Sequence, residues 1–114
     1  MRKGLNNLTI NKMKVFDNDD LKYLDWITVN PEGYVLNTQR ISTSSLAVLH
    51  LGYCHHVKTT TNMPEGAYTT REYIKVCSKD VGMIKKWLEE NRKNFSGRFR
   101  ICKTCSPLVG QQSF

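Results

Sequence analysis

The stretch VLHLGYCHHV, residues 48–57, joins a strand pattern to a turn that carries two side chains able to bind a metal. Its apolar start favours a short strand that ends near Leu51. Three residues separate His50 from Cys54, and Gly52 among them allows the chain to bend sharply. The bend lets an imidazole and a thiolate converge on one point, although a His-x-x-x-Cys spacing is weak evidence by itself.

A second pair of thiols lies near the carboxyl end, in the stretch RICKTCSP at residues 100–107. A Cys-x-x-Cys pair is either a redox dithiol or half of a metal site. Redox pairs usually open a helix, and the Ser-Pro that follows here disfavours one. One imidazole nitrogen and three sulfurs make the closed tetrahedral set of structural zinc sites, and sulfur disfavours magnesium and calcium. The sequence therefore predicts a structural Zn²⁺ ion bound by His50, Cys54, Cys102 and Cys105.

Three other side chains are alternatives to one of these ligands. Cys77 ends an alternating strand pattern, on the face opposite its aliphatic residues, and is interpreted as a small buried thiol. His55 and His56 adjoin Cys54, and at most one of them could bind because adjacent side chains point apart. The sequence leaves these alternatives open.

The remaining patterns predict an α+β fold, a small zinc-stapled domain with a short-stranded sheet and two helices. Acidic residues followed by apolar residues at three-residue spacing favour a helix within 17–29, although its end, LDWITV, also fits a strand. Proline and glycine in NPEG, residues 30–33, predict a turn. Strands are predicted at residues 34–38, 47–51 and 71–77, and a last short strand within 96–102.

A second helix is predicted to begin after an N-cap at Ser78 and to end near Asn94. Its apolar stripe consists of Val81, Ile84, Trp87 and Leu88. Around these elements we expect a weakly ordered segment at 1–15, a single zinc-binding domain at 16–107 and a loose tail at 108–114.

The net charge points to a polyanionic partner. The formal net charge is +7, and residues 61–114 carry ten Lys and Arg against five Asp and Glu. Nucleic acid is the partner that this excess favours, although an ordinary solvated basic face has the same composition. Trp26, Tyr34 and Trp87 are interpreted as core residues rather than as a platform for base stacking. The residues predicted to contact phosphates are Lys85, Lys86, Arg92, Lys93, Arg98, Arg100 and Lys103.

The apolar runs of the chain are short. None approaches the length needed to span a bilayer, and the first residues lack the apolar run of a signal peptide. We therefore expect a cytoplasmic protein, in which thiols stay reduced and four cysteines are more naturally metal ligands or buried thiols than disulfides.

The order of strand, LHLGYC, polar loop, strand, helix and RICKTCSP across residues 34–107 resembles the metal-binding domain of the Ada DNA-repair protein and related nuclease-attached modules. The resemblance implies that His50, Cys54, Cys102 and Cys105 bind one zinc ion and that DNA is a partner. The segment between the two ligand pairs is longer here. His50 also stands where the Ada domain has its methyl-accepting cysteine, so methyl transfer is not expected.

The sequence shows no catalytic constellation. It has no carboxylate pair at a catalytic spacing, no phosphate-cradling glycine loop and no Ser/His/Asp arrangement. The preferred function is a small zinc-stabilised binding module that contacts nucleic acid through a basic surface. One alternative is a protein-interaction factor of a phage or mobile element. A zinc-thiolate methyl acceptor or nuclease-type enzyme is disfavoured, because four protein ligands leave zinc no open position.

Overall fold

The computed structural model describes residues 13–54, 66–95, 97 and 99–103. Within them, two helices and a five-stranded mixed sheet confirm the α+β class. The strand order is β1-β4-β2-β3-β5, with β3 and β5 parallel and the other neighbours antiparallel. In chain order the elements are β1 (Lys14–Phe16), α1 (Asp20–Val29), β2 (Tyr34–Gln39), β3 (Val48–Leu51), β4 (Tyr73–Ser78), α2 (Val81–Asn91) and β5 (Arg100–Ile101).

Helix α1 forms where the spacing of apolar residues predicts a helix. The Asp19 side chain caps it by accepting a hydrogen bond from the Lys22 backbone N–H at 3.1 Å. Tyr23 and Ile27, one turn apart, are its buried residues. The Tyr23 ring packs against the Phe16 ring with 5.9 Å between centroids, so α1 lies on the sheet face to which Phe16 points.

That sheet face also carries the first candidate metal ligand. Val35 of β2 is paired with His50 on one side and with Cys77 on the other, so the three side chains point the same way. Phe16 is paired with Lys75, two residues before Cys77, and therefore shares this face. We call it the ligand face, and α1 covers it.

The opposite face forms the other half of the core. Leu36, Leu49 and Val76 are paired across three strands and are fully buried. Tyr34 also lies on this face, and burial and, secondarily, the Asp80 carboxylate raise its pKa. The sheet thus has buried residues on both faces, and Ile84 and Leu88 of α2 belong to the same hydrophobic core.

The predicted start of α2 is wrong by two residues. Asp80, not Ser78, is the N-cap, and its carboxylate accepts a hydrogen bond from the Gly82 N–H at 2.8 Å. The chain cannot turn earlier because Ser78 is still paired with Tyr34 in the sheet. The helix ends at Asn91, and its apolar stripe is as predicted, with Ile84 and Leu88 fully buried and Val81 and Trp87 half-buried.

Strand β1 lies across the predicted domain boundary. Lys14 and Val15 pair with Cys77 and Val76, although the sequence predicts weak order up to residue 15. Residues 1–12 and the predicted tail at 108–114 lie outside the described residues. In the described part of the chain, neither helix has the length and apolar character needed to cross a membrane.

Candidate metal centre

The parallel pairing of β3 and β5 brings His50 and Cys102 together. Val48 pairs with Arg100 and Leu49 with Ile101, and the Cys102 N–H donates to the Leu49 carbonyl at 2.9 Å. Cys102 therefore continues the register of β5 and points to the ligand face beside His50. Two residues that are 52 positions apart in the chain thus become neighbours on one edge of the sheet.

The turn after β3 supplies the second thiol. The Cys54 N–H donates to the Leu51 carbonyl at 2.9 Å, which closes the turn. The Gly52 N–H donates to the Gly33 carbonyl at 2.9 Å, and the Tyr53 N–H donates to the Pro31 carbonyl at 3.0 Å. The predicted NPEG turn is confirmed, and it holds the backbone that carries Cys54 in place.

Gly52 is required by close approach and not by an unusual dihedral angle. A Cβ at this position would lie 2.6 Å from the Asn30 carbonyl oxygen. Its φ is outside the left-handed region. The sequence predicts that residue 52 is glycine so that the chain can bend. The structure shows that it must be glycine because the neighbouring turn leaves no space for a Cβ.

Three of the four predicted ligands form one buried group. The ligand atoms of His50, Cys54 and Cys102 all lie within 4.8 Å of one another. The two sulfurs are 3.7 Å apart, much farther than the about 2.05 Å of a disulfide. Two sulfurs bound to one tetrahedral zinc at about 2.3 Å each would lie about 3.8 Å apart. His50, Cys54 and Cys102 therefore form a buried group that could hold a metal ion, and their donor atoms suit a borderline-soft cation.

Of the three alternative ligands, the structure describes Cys77 alone, and it lies away from the buried group. Cys77 is fully buried on β4, with Val35 of the intervening strand between it and His50, a separation of about 10 Å across two strand spacings. Burial raises the pKa of the Cys77 thiol, which keeps it protonated. Cys77 is not part of the group. Cys105, His55 and His56 lie outside the described residues.

Most of the predicted phosphate contacts are on the surface. Lys86, Lys93, Arg100 and Lys103 are exposed, and Lys85 is half-buried. Arg98 lies outside the described residues. Among the described residues the one ion pair joins Arg40 to Asp17, so no described carboxylate pairs with Lys85, Lys86, Lys93 or Arg100.

Arg92 does not belong among the residues predicted to contact phosphates. Its guanidinium donates from Nη2 to the Gln39 carbonyl at 2.7 Å and from Nη1 to the Asn91 carbonyl at 3.0 Å. It also lies 4.8 Å from the centre of the Trp87 ring, and the residue is only 7% exposed. Arg92 ties the end of α2 to β2 and is not available for a phosphate.

Sequence reasoning missed a buried lysine on the ligand face. Lys75 donates from Nζ to Asn37 Oδ1 and to the Tyr68 carbonyl, both at 2.8 Å. Its amine also lies 5.8 Å from the centres of the Tyr23 and Tyr73 rings. Burial lowers the pKa of Lys75 to about 8, against the opposing influence of Cys77 and Asp20. The available signal was the strand alternation, which puts Lys75 on the face of Cys77.

Comparisons of the chain with protein-family models, with curated proteins and with solved structures found no match.

Proposed function

We propose that this chain is a small zinc-stabilised module that binds nucleic acid through a basic surface. The observation that carries the proposal is the buried group of His50, Cys54 and Cys102. Cys105, three residues after Cys102, is proposed as the fourth ligand, which would close a tetrahedral site. A closed site of this kind has a structural role.

An ion bound by this group would stabilise the attachment of β5 to the sheet. Within the part of the chain that the structure describes, strand β5 has two residues and one neighbouring strand, so its pairing contributes little stability. A zinc ion would join the turn after β3 to the end of β5. Structural zinc contributes about 10–16 kcal/mol of apparent binding free energy to the folded state.

The metal is tested by elemental analysis of the purified chain and by thermal melts before and after chelation. We expect one zinc per chain and a large fall in the melting temperature when it is removed. Cys54→Ser should lose the metal, whereas Cys77→Ser, at the buried cysteine outside the group, should keep it. Equal zinc content in the two variants would contradict the proposed site.

The nucleic-acid part of the proposal is supported by charge. The chain has a net charge of +7, and the exposed cations of α2 and β5 are not paired with described carboxylates. Lys and Arg in such positions bind phosphates and release counterions, so affinity should fall with salt by a slope of about −0.9 per phosphate neutralised. The resemblance to Ada-like modules favours DNA.

The measurement is fluorescence anisotropy with labelled duplex DNA across a series of salt concentrations. Lys93→Gln with Arg100→Gln should weaken binding and reduce the slope by about two units. Lys22→Gln, which removes one exposed charge from α1 instead, is the control and should change the slope by less. A flat salt response would exclude phosphate-driven binding.

Burial argues against the enzymatic alternative of a thiolate methyl acceptor. Cys54 is 2% exposed and Cys102 is 7% exposed, so a DNA phosphotriester cannot reach either sulfur without a rearrangement. Mass spectrometry after incubation with methylated DNA is expected to show no added methyl group on Cys54 or Cys102.

A protein partner is the second candidate function, and one observation favours it. Leu21 and Val29, eight residues apart on α1, are 78% and 77% exposed, so this helix presents two large apolar side chains that a protein partner could cover. Co-purification of one protein at fixed stoichiometry, lost in the Leu21→Ser, Val29→Ser double variant, would support this candidate. Bound nucleic acid in the ultraviolet spectrum would support the first.

A further inference from the structure

The candidate metal centre brings two sulfurs close together. Cys54 Sγ and Cys102 Sγ lie 3.7 Å apart, and a disulfide bond of about 2.05 Å would require them to approach by about 1.7 Å. Two cysteines can be bridged only when their side chains point toward each other, and here both point into one buried group. The pair therefore meets the directional requirement for a disulfide, although 48 positions separate the two residues.

Both cysteines lie where the backbone can adjust. Cys54 closes the turn after β3 through its N–H bond to the Leu51 carbonyl, and Cys102 directly follows β5. In the described part of the chain, β5 has two residues and pairs with β3 alone, so its end can open locally at small cost. The opening that admits hydrogen peroxide to the Cys102 sulfur is much smaller than the one that a DNA phosphotriester would need.

Cys77 differs from the pair in position and in protonation. It is fully buried within β4, between β1 and β2. Burial raises the pKa of its thiol, which stays protonated, and a thiol is a far weaker nucleophile than a thiolate. Cys77 is therefore a control within the same chain for any reaction that selects Cys54 and Cys102.

A two-electron oxidant of the peroxide class can join the two sulfurs. A cysteine that binds zinc is a thiolate. The Cys102 thiolate attacks one oxygen of hydrogen peroxide, the O–O bond breaks, and the hydroxide that leaves takes up a proton, so that a sulfenic acid and water result. The Cys54 thiolate then attacks this sulfur, the S–S bond forms, and the second oxygen leaves as hydroxide and also takes up a proton. Two thiolates, one peroxide and two protons thus give one disulfide and two waters.

We propose that Cys54 and Cys102 form a peroxide-sensitive redox pair, in which a disulfide replaces the zinc ion as the link between the turn after β3 and the end of β5. Sulfurs that share a bond carry no negative charge, so the site loses two ligands and releases the ion. Release of the ion depends on the proposed zinc site, whereas pairing of the two sulfurs does not.

The test treats the full, freshly reduced chain with hydrogen peroxide, unfolds it, and counts the thiols that an alkylating reagent still labels. The count should fall from four to two, and peptide mapping should find Cys54 joined to Cys102. Zinc, followed with a chromogenic chelator, should leave in step with the bond, and dithiothreitol should restore all four thiols. Cys77→Ser and Cys105→Ser, which each remove a cysteine outside the pair, should give the same link.

Thermal melts in the presence of a chelator measure whether the disulfide replaces the ion. The oxidised chain should melt about 10 °C higher than the reduced chain, because the bond restricts the unfolded chain over a long loop. An unchanged or lower melting temperature would overturn this part of the inference.

The remaining outcomes separate this inference from the proposed function. Zinc in the purified chain and no Cys54–Cys102 link after peroxide overturn the inference and leave the proposed function standing. A link that joins Cys77 or Cys105 to either residue also overturns it. The expected link in a chain that holds no zinc as purified supports the pair and overturns the proposed zinc site.

Discussion

Replacing the buried lysine should change the pH dependence of stability. Lys75→Met keeps the length of the side chain and removes the ammonium group that donates to Asn37 and Tyr68. The pKa of Lys75 is lowered from 10.5 to about 8 in the folded protein. Below about pH 8 the amine is protonated in both states, whereas above it the folded chain releases a proton that the unfolded chain still binds. Lys75 therefore makes the folded state more stable as the pH rises from about 8 to 10.5.

The size of this effect follows from the two pKa values. One pKa unit corresponds to about 1.4 kcal/mol, so the gain in unfolding free energy from pH 7 is about 1.3 kcal/mol at pH 9 and about 2.5 kcal/mol at pH 10. The raised pKa of Cys77 has the opposite sign, because the unfolded chain loses that proton first, and it lowers the stability of both proteins at high pH. The Cys77 contribution is present in both proteins, so most of it cancels when the unfolding free energy of the variant is subtracted from that of the wild type.

Urea unfolding of both proteins at pH 7, 8, 9 and 10 measures the difference. The unfolding free energy of the wild type relative to that of Lys75→Met should increase by about 1.3 kcal/mol between pH 7 and pH 9. Parallel pH profiles for the two proteins would show that the amine is not buried as described.

Two further substitutions test the contacts that position the site. Gly52→Ala puts a Cβ 2.6 Å from the Asn30 carbonyl oxygen. The variant should have an unfolding free energy about 1–3 kcal/mol lower in urea unfolding, and elemental analysis should show a lower zinc content. Gly82→Ala, at an exposed helix position where the added Cβ would lie 3.1 Å from a side-chain oxygen of Asp80 and not against backbone, is the control, and an equal loss in both would refute the close approach. Arg92→Leu should destabilise the fold by about 1–3 kcal/mol, because the Gln39 carbonyl loses the guanidinium donor, and should leave the salt dependence of DNA binding unchanged. A weaker salt dependence of DNA affinity in this variant would show that Arg92 does contact phosphates.

Local patterns were sufficient to predict most of the elements and the clustering of three of the four candidate ligands. The spacing of Leu21, Leu24 and Ile27 predicts α1, although the structure buries Tyr23 and Ile27 and leaves Leu21 exposed. The residue types and bends around Cys54 and Cys102 predict their convergence although 48 positions separate them. Metal ligands are recognisable because their chemistry is specific. The fourth predicted ligand, Cys105, stays a prediction.

The errors arise where a long-range contact overrides a local signal. Ser78 is a good helix cap by type, but its pairing with Tyr34 keeps it in β4. A three-residue strand such as β1 is too short to show a period, and its partner lies some sixty positions away. Arg92 ends an amphipathic helix, where a cation is normally solvated, and only the tertiary position of Gln39 explains its burial.

The parallel pairing of β3 with β5 has a consequence for the order of folding. The β2–β3 hairpin closes over a short connection, whereas Cys54 and Cys102 meet only after the long segment containing β4 and α2 is in place. Loop-closure entropy rises with the length of chain enclosed, so nearby pairings are made early and this one late. The proposed ion would thus be captured by an almost finished fold, and ribosome-bound chains that end before Cys102 would still lack their complete site.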